Sequence, residues 1–275
     1  MSSFFVIAVG VFGLLIGSFL NVVAYRIPLR RSVVSPPSSC PHCDAEIAWY
    51  DNIPVISWLI LRGKCRRCSG PISRRYPAVE LGTGLLFAGV AFSFIPRLVF
   101  DVNVATVVAS VVVLVAYLYL AAVSVALALI DLDTHTLPNR IVYPTYFVGV
   151  VLFTVAALLT GDYGSLLTAG IAMAVMFAAY FVMVLAYPGG MGFGDVKLAG
   201  SLGIFLGWLG WGEVAVGAFA PFVLGGVFAI VLIIARGAGR KTRIPFGPWM
   251  LLGAWVGIFV GSDIASWYLG LFGLN

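Results

Sequence analysis

Long apolar runs separated by short polar interruptions dominate this chain, and the runs have the length of a bilayer rather than of a globular core. Segments able to cross ~30 Å of hydrocarbon as helices lie at roughly Ser3–Tyr25, Ala78–Ile95, Val102–Ile130, Ile141–Leu159, Leu166–Tyr187, Val196–Trp211, Val214–Ala235 and Phe246–Tyr268. The pattern predicts an all-α polytopic membrane protein with about eight transmembrane helices. The sixth run is short for a span, yet Trp208 and Trp211 near its far end are placed as an interfacial anchor would be. The third is overlong and is expected to tilt or to begin outside the membrane.

One stretch departs from this pattern. Between Arg26 and Pro77 the chain is polar and holds all four cysteines. The organisation expected is a first transmembrane helix over 1–25, a small cytosolic domain over 26–77, and a transmembrane domain over 78–275 that carries the candidate chemistry. Composition agrees: 61% hydrophobic and 10% charged residues with a mean hydropathy of +1.07 leave too little polar surface for a soluble globule.

The net charge of +5 works as a topology signal. Nine of the sixteen basic residues lie from Arg26 to Arg75, and Arg140, Lys197, Arg236, Arg240, Lys241 and Arg243 fall in alternate loops on the same side; only Arg97 lies on the other. The positive-inside rule then puts the 26–77 loop, the segments around Asp131 and Asp195, and the 236–245 loop in the cytosol, with both chain termini outside. The basic residues form no nucleic-acid reading module, so no nucleic-acid partner is expected. With no Lys or Arg before it and the positive charges after it, the first run reads as a retained helix rather than a cleaved signal peptide.

The cysteines stand as Cys40-Pro41-His42-Cys43 and Cys65-Arg66-Arg67-Cys68, with 21 residues between the pairs. Each C-x-x-C turn lets two thiolates reach one ion, and two turns complete a tetrahedral S₄ site suited to Zn²⁺. Disulfides are the competing reading, but a cytosolic loop is reducing. Four cysteines leave no open coordination position, so the zinc would be structural, supplying folding energy to a loop with few large apolar side chains. His42 is expected to be a bystander.

Two aspartates stand where membrane meets water. Asp131 ends the third run at Asp131-Leu132-Asp133-Thr134-His135-Thr136-Leu137-Pro138-Asn139, and Asp195 closes the turn Gly192-Phe193-Gly194-Asp195. An ionisable group at a membrane boundary is costly enough to mark a functional site. If a bundle brings the two carboxyls together they share one proton, so that one takes a proton from water while the other donates to a peptide carbonyl. That is metal-free peptide hydrolysis by an aspartic dyad. Gly192 and Gly194 permit close backbone approach, and Gly200, Gly203, Gly207 and Gly210 continue a small-residue face. Pro138 is expected to start the fourth helix.

Other acids read more plainly. Asp133 and His135 are expected to be solvated, and Glu80 to sit favourably near a helix N-terminus. Asp44, Glu46 and Asp51 offer at most a weak, salt-screened attraction to a basic peptide. Asp101, Asp162, Glu213 and Asp263 fall in external turns.

Together these residues resemble the prepilin peptidases, or type IV leader peptidases, of the G-x-G-D aspartic class. The resemblance runs through Gly17-Ser18-Phe19-Leu20-Asn21-Val22-Val23, Tyr25-Arg26-Ile27-Pro28, both C-x-x-C pairs, Asn52-Ile53-Pro54, Ser57-Trp58, Ser73-Arg74-Arg75-Tyr76-Pro77 with Val79-Glu80-Leu81, Asp131 to Pro138, and Gly192-Phe193-Gly194-Asp195-Val196-Lys197. It implies that Asp131 and Asp195 are the catalytic dyad and that Cys40, Cys43, Cys65 and Cys68 ligate zinc. It further implies a bacterial inner-membrane enzyme that cuts the basic leader of prepilin and pseudopilin precursors after a glycine at the cytosolic face. Many such enzymes then N-methylate the new N-terminus with S-adenosylmethionine. A proton-coupled carrier would instead place its acids near the bilayer midplane within inverted repeats, and a zinc-stapled scaffold would need neither aspartate. An intramembrane protease of the presenilin kind shares G-x-G-D but would hold its acids deeper in the hydrocarbon.

Overall fold

The computed structural model describes residues 2–99, 103–187, 190–236 and 245–273. Asp101, expected in an external turn, and Arg240, Lys241 and Arg243, which entered the topology argument, lie outside the described residues. Nine α-helices are present among the described residues, with no strand: α1 Ser2–Arg26, α2 Ile56–Ile60, α3 Arg75–Val99, α4 Val104–Thr134, α5 Asn139–Thr160, α6 Tyr163–Ala186, α7 Phe193–Leu209, α8 Trp211–Arg236 and α9 Gly247–Gly270. Seven of them (α1, α3, α4, α5, α6, α8 and α9) contain stretches long and apolar enough to cross a membrane. The chain is a polytopic, all-helical membrane protein.

The remaining predicted span, the sixth run, is α7. At 17 residues it rises about 26 Å, short of the ~30 Å hydrocarbon. Its surroundings explain how so short a helix is accommodated. The side chains from Val196 to Gly207, Lys197 apart, are buried, so this helix is solvated by protein rather than by lipid. The turn into α8 falls at Gly210, whose φ of 148° disfavours any residue with a Cβ. The sequence pattern placed that turn a few residues late because Trp211 and Gly212 continue the apolar run.

The helices divide between two compact units. One comprises residues 1–102 and 117–130; the other, 103–116 and 131–275. In the first, α1 lies against α3 through small residues: a Cβ on Gly13 would come within 2.9 Å of the Gly84 Cα, and one on Gly17 within 2.8 Å of the Glu80 Cα. Backbones this close gain dispersion and leave no room for lipid. Phe94 stacks on Tyr117 with ring centroids 4.5 Å apart.

The cysteine segment belongs to the same unit and is fastened to α3 by Glu80. This carboxylate is buried, and its Oε2 accepts the Val55 N–H at 2.7 Å. Val55 has φ 61° and ψ −50°, and the Ile56 amide donates back to the Pro54 carbonyl at 2.6 Å, a strained γ-turn on a β-branched residue. Glu80 therefore does more than complement a helix dipole, the role expected of it. It clamps a turn the backbone would not adopt unaided.

In the second unit α7 is the centre. Phe153 of α5 meets Phe205 edge-on at 5.4 Å and stacks on Trp208 at 4.7 Å. On the α6 side, a Cβ on Gly203 would come within 2.6 Å of the Ala172 carbonyl oxygen, and one on Gly207 within 2.8 Å of the Ala169 Cα. On the α8 side, Gly217 leaves room for Leu206. Tyr146 Oη donates to the Lys197 carbonyl at 2.6 Å, and Lys197 Nζ donates to Asn139 Oδ1 at 2.6 Å between the rings of Tyr143 and Phe193. These bonds tie the first turn of α7 to α5.

Candidate active site

Both aspartates lie in the second unit, at helix ends and largely buried. Asp131 occupies the last turn of α4. That helix closes at His135, whose left-handed backbone (φ 53°) lets its amide donate to the Asp131 carbonyl at 2.9 Å. Pro138 then caps α5. Asp195 is the third residue of α7, where its own side chain finishes the helix start: Oδ2 accepts the Gly192 N–H at 2.9 Å while the Asp195 N–H donates to the Gly192 carbonyl at 3.0 Å.

Asp131 is held in a corresponding way from a distant part of the chain. Its Oδ2 accepts the N–H of Gly247, the first residue of α9, at 3.0 Å. Each carboxylate thus has one oxygen fixed by a backbone amide at a helix N-terminus, where partial positive charge favours an anion. The other oxygen of each, Oδ1, has no hydrogen-bond partner among the described residues. The two carboxylates lie within electrostatic range of one another. Leu137 links their supports: a Cβ on Gly194 would approach its Cβ to 3.2 Å, and one on Gly247 its Cδ2 to 3.2 Å and Asp131 Oδ2 to 2.6 Å. Glycine at both positions lets the starts of α7 and α9 close around this side chain.

Asp133 and His135 are exposed, as expected. Gly247 was not anticipated. The only local trace of it is the adjacent Pro248, which marks a helix start.

The four cysteine sulfurs lie within 4.8 Å of one another and can hold a metal ion. Cys40 Sγ and Cys68 Sγ are 3.7 Å apart, far beyond a disulfide and close to the ~3.8 Å edge of a tetrahedron with 2.3 Å metal–sulfur bonds. Two copies of one turn build the cluster. Cys40 N–H donates to the Ala45 carbonyl at 3.0 Å and Asp44 N–H to the Cys40 carbonyl at 2.9 Å; Cys65 N–H donates to Gly70 and Ser69 N–H to Cys65, both at 2.9 Å. Asp44 (φ 53°) and Ser69 (φ 58°) take the left-handed position in each. The amides of Cys68 and Arg67 pull the Cys65 thiol down to about 6, whereas at Cys68 the Gly70 amide is outweighed by the neighbouring Cys43, Cys40 and Cys65 sulfurs, which push that thiol up to about 12. His42 packs over Gly70 with Nε2 3.3 Å from the Pro71 carbonyl and stays out of the cluster.

Asp51, expected to be a loose acid, is engaged. Arg66 grips it with Nε at 2.8 and 3.0 Å and Nη2 at 2.6 Å, which holds the Asp51 carboxyl below its usual range. Asp44 and Glu46 are exposed.

Residues 11–94 match the model of the bacterial peptidase A24 N-terminal domain, and residues 118–235 that of the type IV leader peptidase family. This chain belongs to the type IV leader peptidase family. The first match spans the cysteine cluster and the second contains both aspartates. Among curated relatives, a prepilin leader peptidase/N-methyltransferase of Aeromonas hydrophila is 37% identical, over 94% of this chain and 91% of its own. Proteins of the same name are 33% identical in Stutzerimonas stutzeri (96% of this chain, 94% of theirs) and 31% identical in Pseudomonas aeruginosa (98% and 96%). No solved structure gives a significant match.

Proposed function

We propose that this leader peptidase cleaves the basic leader of type IV prepilins and pseudopilins after a glycine at the cytosolic face of the bacterial inner membrane, with Asp131 and Asp195 as its catalytic dyad. The observation that carries the reading is the matched support of the two carboxylates in one compact unit: one oxygen of each is held by a helix-start amide, and the other has no hydrogen-bond partner among the described residues.

In this mechanism the ionised carboxylate takes a proton from water as the water oxygen bonds to the peptide carbon. The carbonyl electron pair moves onto its oxygen, which receives the proton of the other carboxyl. Collapse of the tetrahedral intermediate breaks the C–N bond, and the amine leaves with a proton returned by the dyad. The site needs no deep pocket. A precursor with its apolar helix in the bilayer and its leader in the cytosol has its scissile bond positioned by membrane partition.

Zn²⁺ is the proposed occupant of the Cys40, Cys43, Cys65 and Cys68 cluster, in a structural role that fixes the cytosolic loop. The second activity in the relatives' name is proposed here as N-methylation of the new N-terminus by S-adenosylmethionine. A polar-rimmed cavity beside the cysteine loop, lined among others by Ser18, Phe19, Arg26, Ser38 and Asn52, measures about 260 Å³. That is below the ~300 Å³ at which small-molecule sites usually begin, so it does not fit the whole of that donor.

The test is cleavage of a prepilin-like peptide by the membrane-embedded protein and by Asp131→Asn and Asp195→Asn, with the product N-terminus read by mass spectrometry. Cleavage after the glycine in the wild type and loss in both variants is expected, with a methyl mass added when S-adenosylmethionine is supplied. Retained cleavage in either variant overturns the dyad.

A further inference from the structure

The loop between α1 and α3 turns an apolar helical face away from the protein. In and just before α2, Ile53, Ile56, Leu59 and Ile60 are 43%, 54%, 60% and 70% exposed, and their spacing puts them on one side of the helix. From Asn52 to Leu61 the chain carries no charge. The polar groups of the segment face inward. Ser57 is buried, its Oγ accepting the Ile53 N–H at 3.1 Å and donating to the Tyr50 carbonyl at 3.0 Å, while the Leu61 and Gly63 amides donate to Ser57 and Trp58 at 2.9 and 2.8 Å. Backbone satisfied internally beneath a wholly apolar face is what a segment out of water requires.

The position of α2 identifies what covers that face. Its preceding residue, Val55, is bonded at 2.7 Å to Glu80, and the Glu80 Cα lies where a Cβ on Gly17 would come within 2.8 Å of it. Gly17 sits about 14 Å along the α1 axis from Arg26, and Glu80 about 8 Å along α3 from Arg75, each inside a stretch that can span the membrane. Val55 is thus one glutamate side chain from a point within both spans. On the α1 side, Asn52 and Pro54 line one crevice with Leu15 and Phe19, two exposed apolar residues of the α1 span. The face of α2 continues the lipid-facing surface of its own unit.

The flanks fit the same surroundings. Trp49 is 82% exposed and Tyr50 half exposed just before the apolar stretch, as rings at a membrane interface stand. Arg62, Lys64 and Arg67 are exposed just after it, and the one nearby acid, Asp51, is neutralised by Arg66. The charge left over suits lipid phosphates.

We propose that α2 is an interfacial membrane helix: Ile53, Ile56, Leu59 and Ile60 insert into the leaflet that bounds the loop, Trp49 and Tyr50 lie at headgroup level, and Arg62, Lys64 and Arg67 meet phosphates of anionic phospholipid. The Cys65 turn follows Lys64 directly, so this contact holds the cysteine cluster against the leaflet surface. The assignment is independent of whether the two aspartates cleave peptides.

The test uses the unmodified protein in vesicles of phosphatidylethanolamine and phosphatidylglycerol with a trace of phospholipid bearing a diazirine on its acyl chain. After irradiation and digestion, mass spectrometry is expected to find lipid adducts on residues 53–61 in yield comparable with exposed Leu15 and Phe19 of α1, and only background on exposed Glu46. Background yield on 53–61 beside labelled Leu15 and Phe19 overturns the proposal. Nitroxides on a genetically encoded ketone residue at Ile56, Leu59 or Ile60 then report depth, expected at about 5–10 Å below the phosphates, with oxygen collisions retained and those of a water-soluble nickel chelate lost. A nickel-accessible face lies in water, and a face closed to both reagents is covered by protein, a second copy or a substrate helix; either result overturns lipid as the occupant. Should a label disturb folding, the photolabelling of the unmodified chain decides.

Discussion

The amide of Gly247 donates to Asp131 Oδ2 at 3.0 Å, joining the start of α9 to the end of α4 across 116 residues of chain. The position of one candidate catalytic carboxylate is thereby set by a residue that carries no side chain at all.

A methyl group at Gly247 should accordingly disturb the site more than its size suggests. Its Cβ would stand 2.6 Å from Asp131 Oδ2, so Gly247→Ala must displace the carboxylate or the helix start. Prepilin cleavage is expected to fall about tenfold or more, since small misplacements of reacting groups are costly. Gly194→Ala meets only Leu137 Cβ at 3.2 Å and should cost less, about two- to fivefold. Single-turnover rates at matched membrane expression decide the order.

Metal binding should depend on all four cysteines. The purified protein is expected to contain close to one zinc per chain, and Cys40→Ser or Cys65→Ser to lose most of it, with the cytosolic loop becoming sensitive to limited proteolysis. Elemental analysis on the same preparations is the check; a wild-type loop that is metal-free and protease-resistant would refute the structural role.

Removing the Glu80 clamp should loosen that loop even with the metal present. Glu80→Ala leaves the half-buried Val55 N–H without its carboxylate and is expected to destabilise the loop by about 1 kcal/mol. Val55→Gly relieves the backbone strain and should stabilise it by about 1 kcal/mol. Fluorescence of Trp49 and Trp58 during unfolding reports both, and opposite signs are required.

Arg66 gives the loop a definite acid response. Because it lowers the folded-state titration of Asp51, the pair's contribution is complete above the unfolded carboxyl value near ~3.9 and is lost as pH falls through the lower folded value. The stability advantage of wild type over Arg66→Gln should be level from pH 8 to about 5, shrink only below about 4, and be reduced by salt, because Arg66 is half exposed. A gap that closes near pH 6 would belong to another group.

Gly203 tests the packing around α7. A Cβ there would lie 2.6 Å from the Ala172 carbonyl oxygen and 2.9 Å from the Met173 Cα, both backbone atoms that cannot rotate aside. Gly203→Ala should destabilise the transmembrane unit by about 1–3 kcal/mol, while Gly170→Ala, with nothing within 4 Å, should be silent in the same thermal melt.

Much of this was readable in the sequence because the relevant signals are local. Apolar runs of bilayer length announce helices wherever they occur, and C-x-x-C spacing announces a shared ion regardless of what surrounds it. The aspartates were legible for the same reason: each stands at the end of an apolar run, where charge is conspicuous. Gly247 and the Glu80–Val55 clamp were not legible, since each gains its meaning from a partner dozens of residues away. The length of α7 misled for a related reason: a span is judged against lipid, and this helix is surrounded by protein.

The Gly247 contact also bears on how the enzyme comes into being. A ribosome making this chain completes Asp131 and Asp195 well before it reaches residue 247, and until then the first carboxylate lacks the amide that fixes it. A nascent peptidase is therefore expected to stay idle among the precursors being inserted beside it, and to become competent only after α9 has entered the membrane.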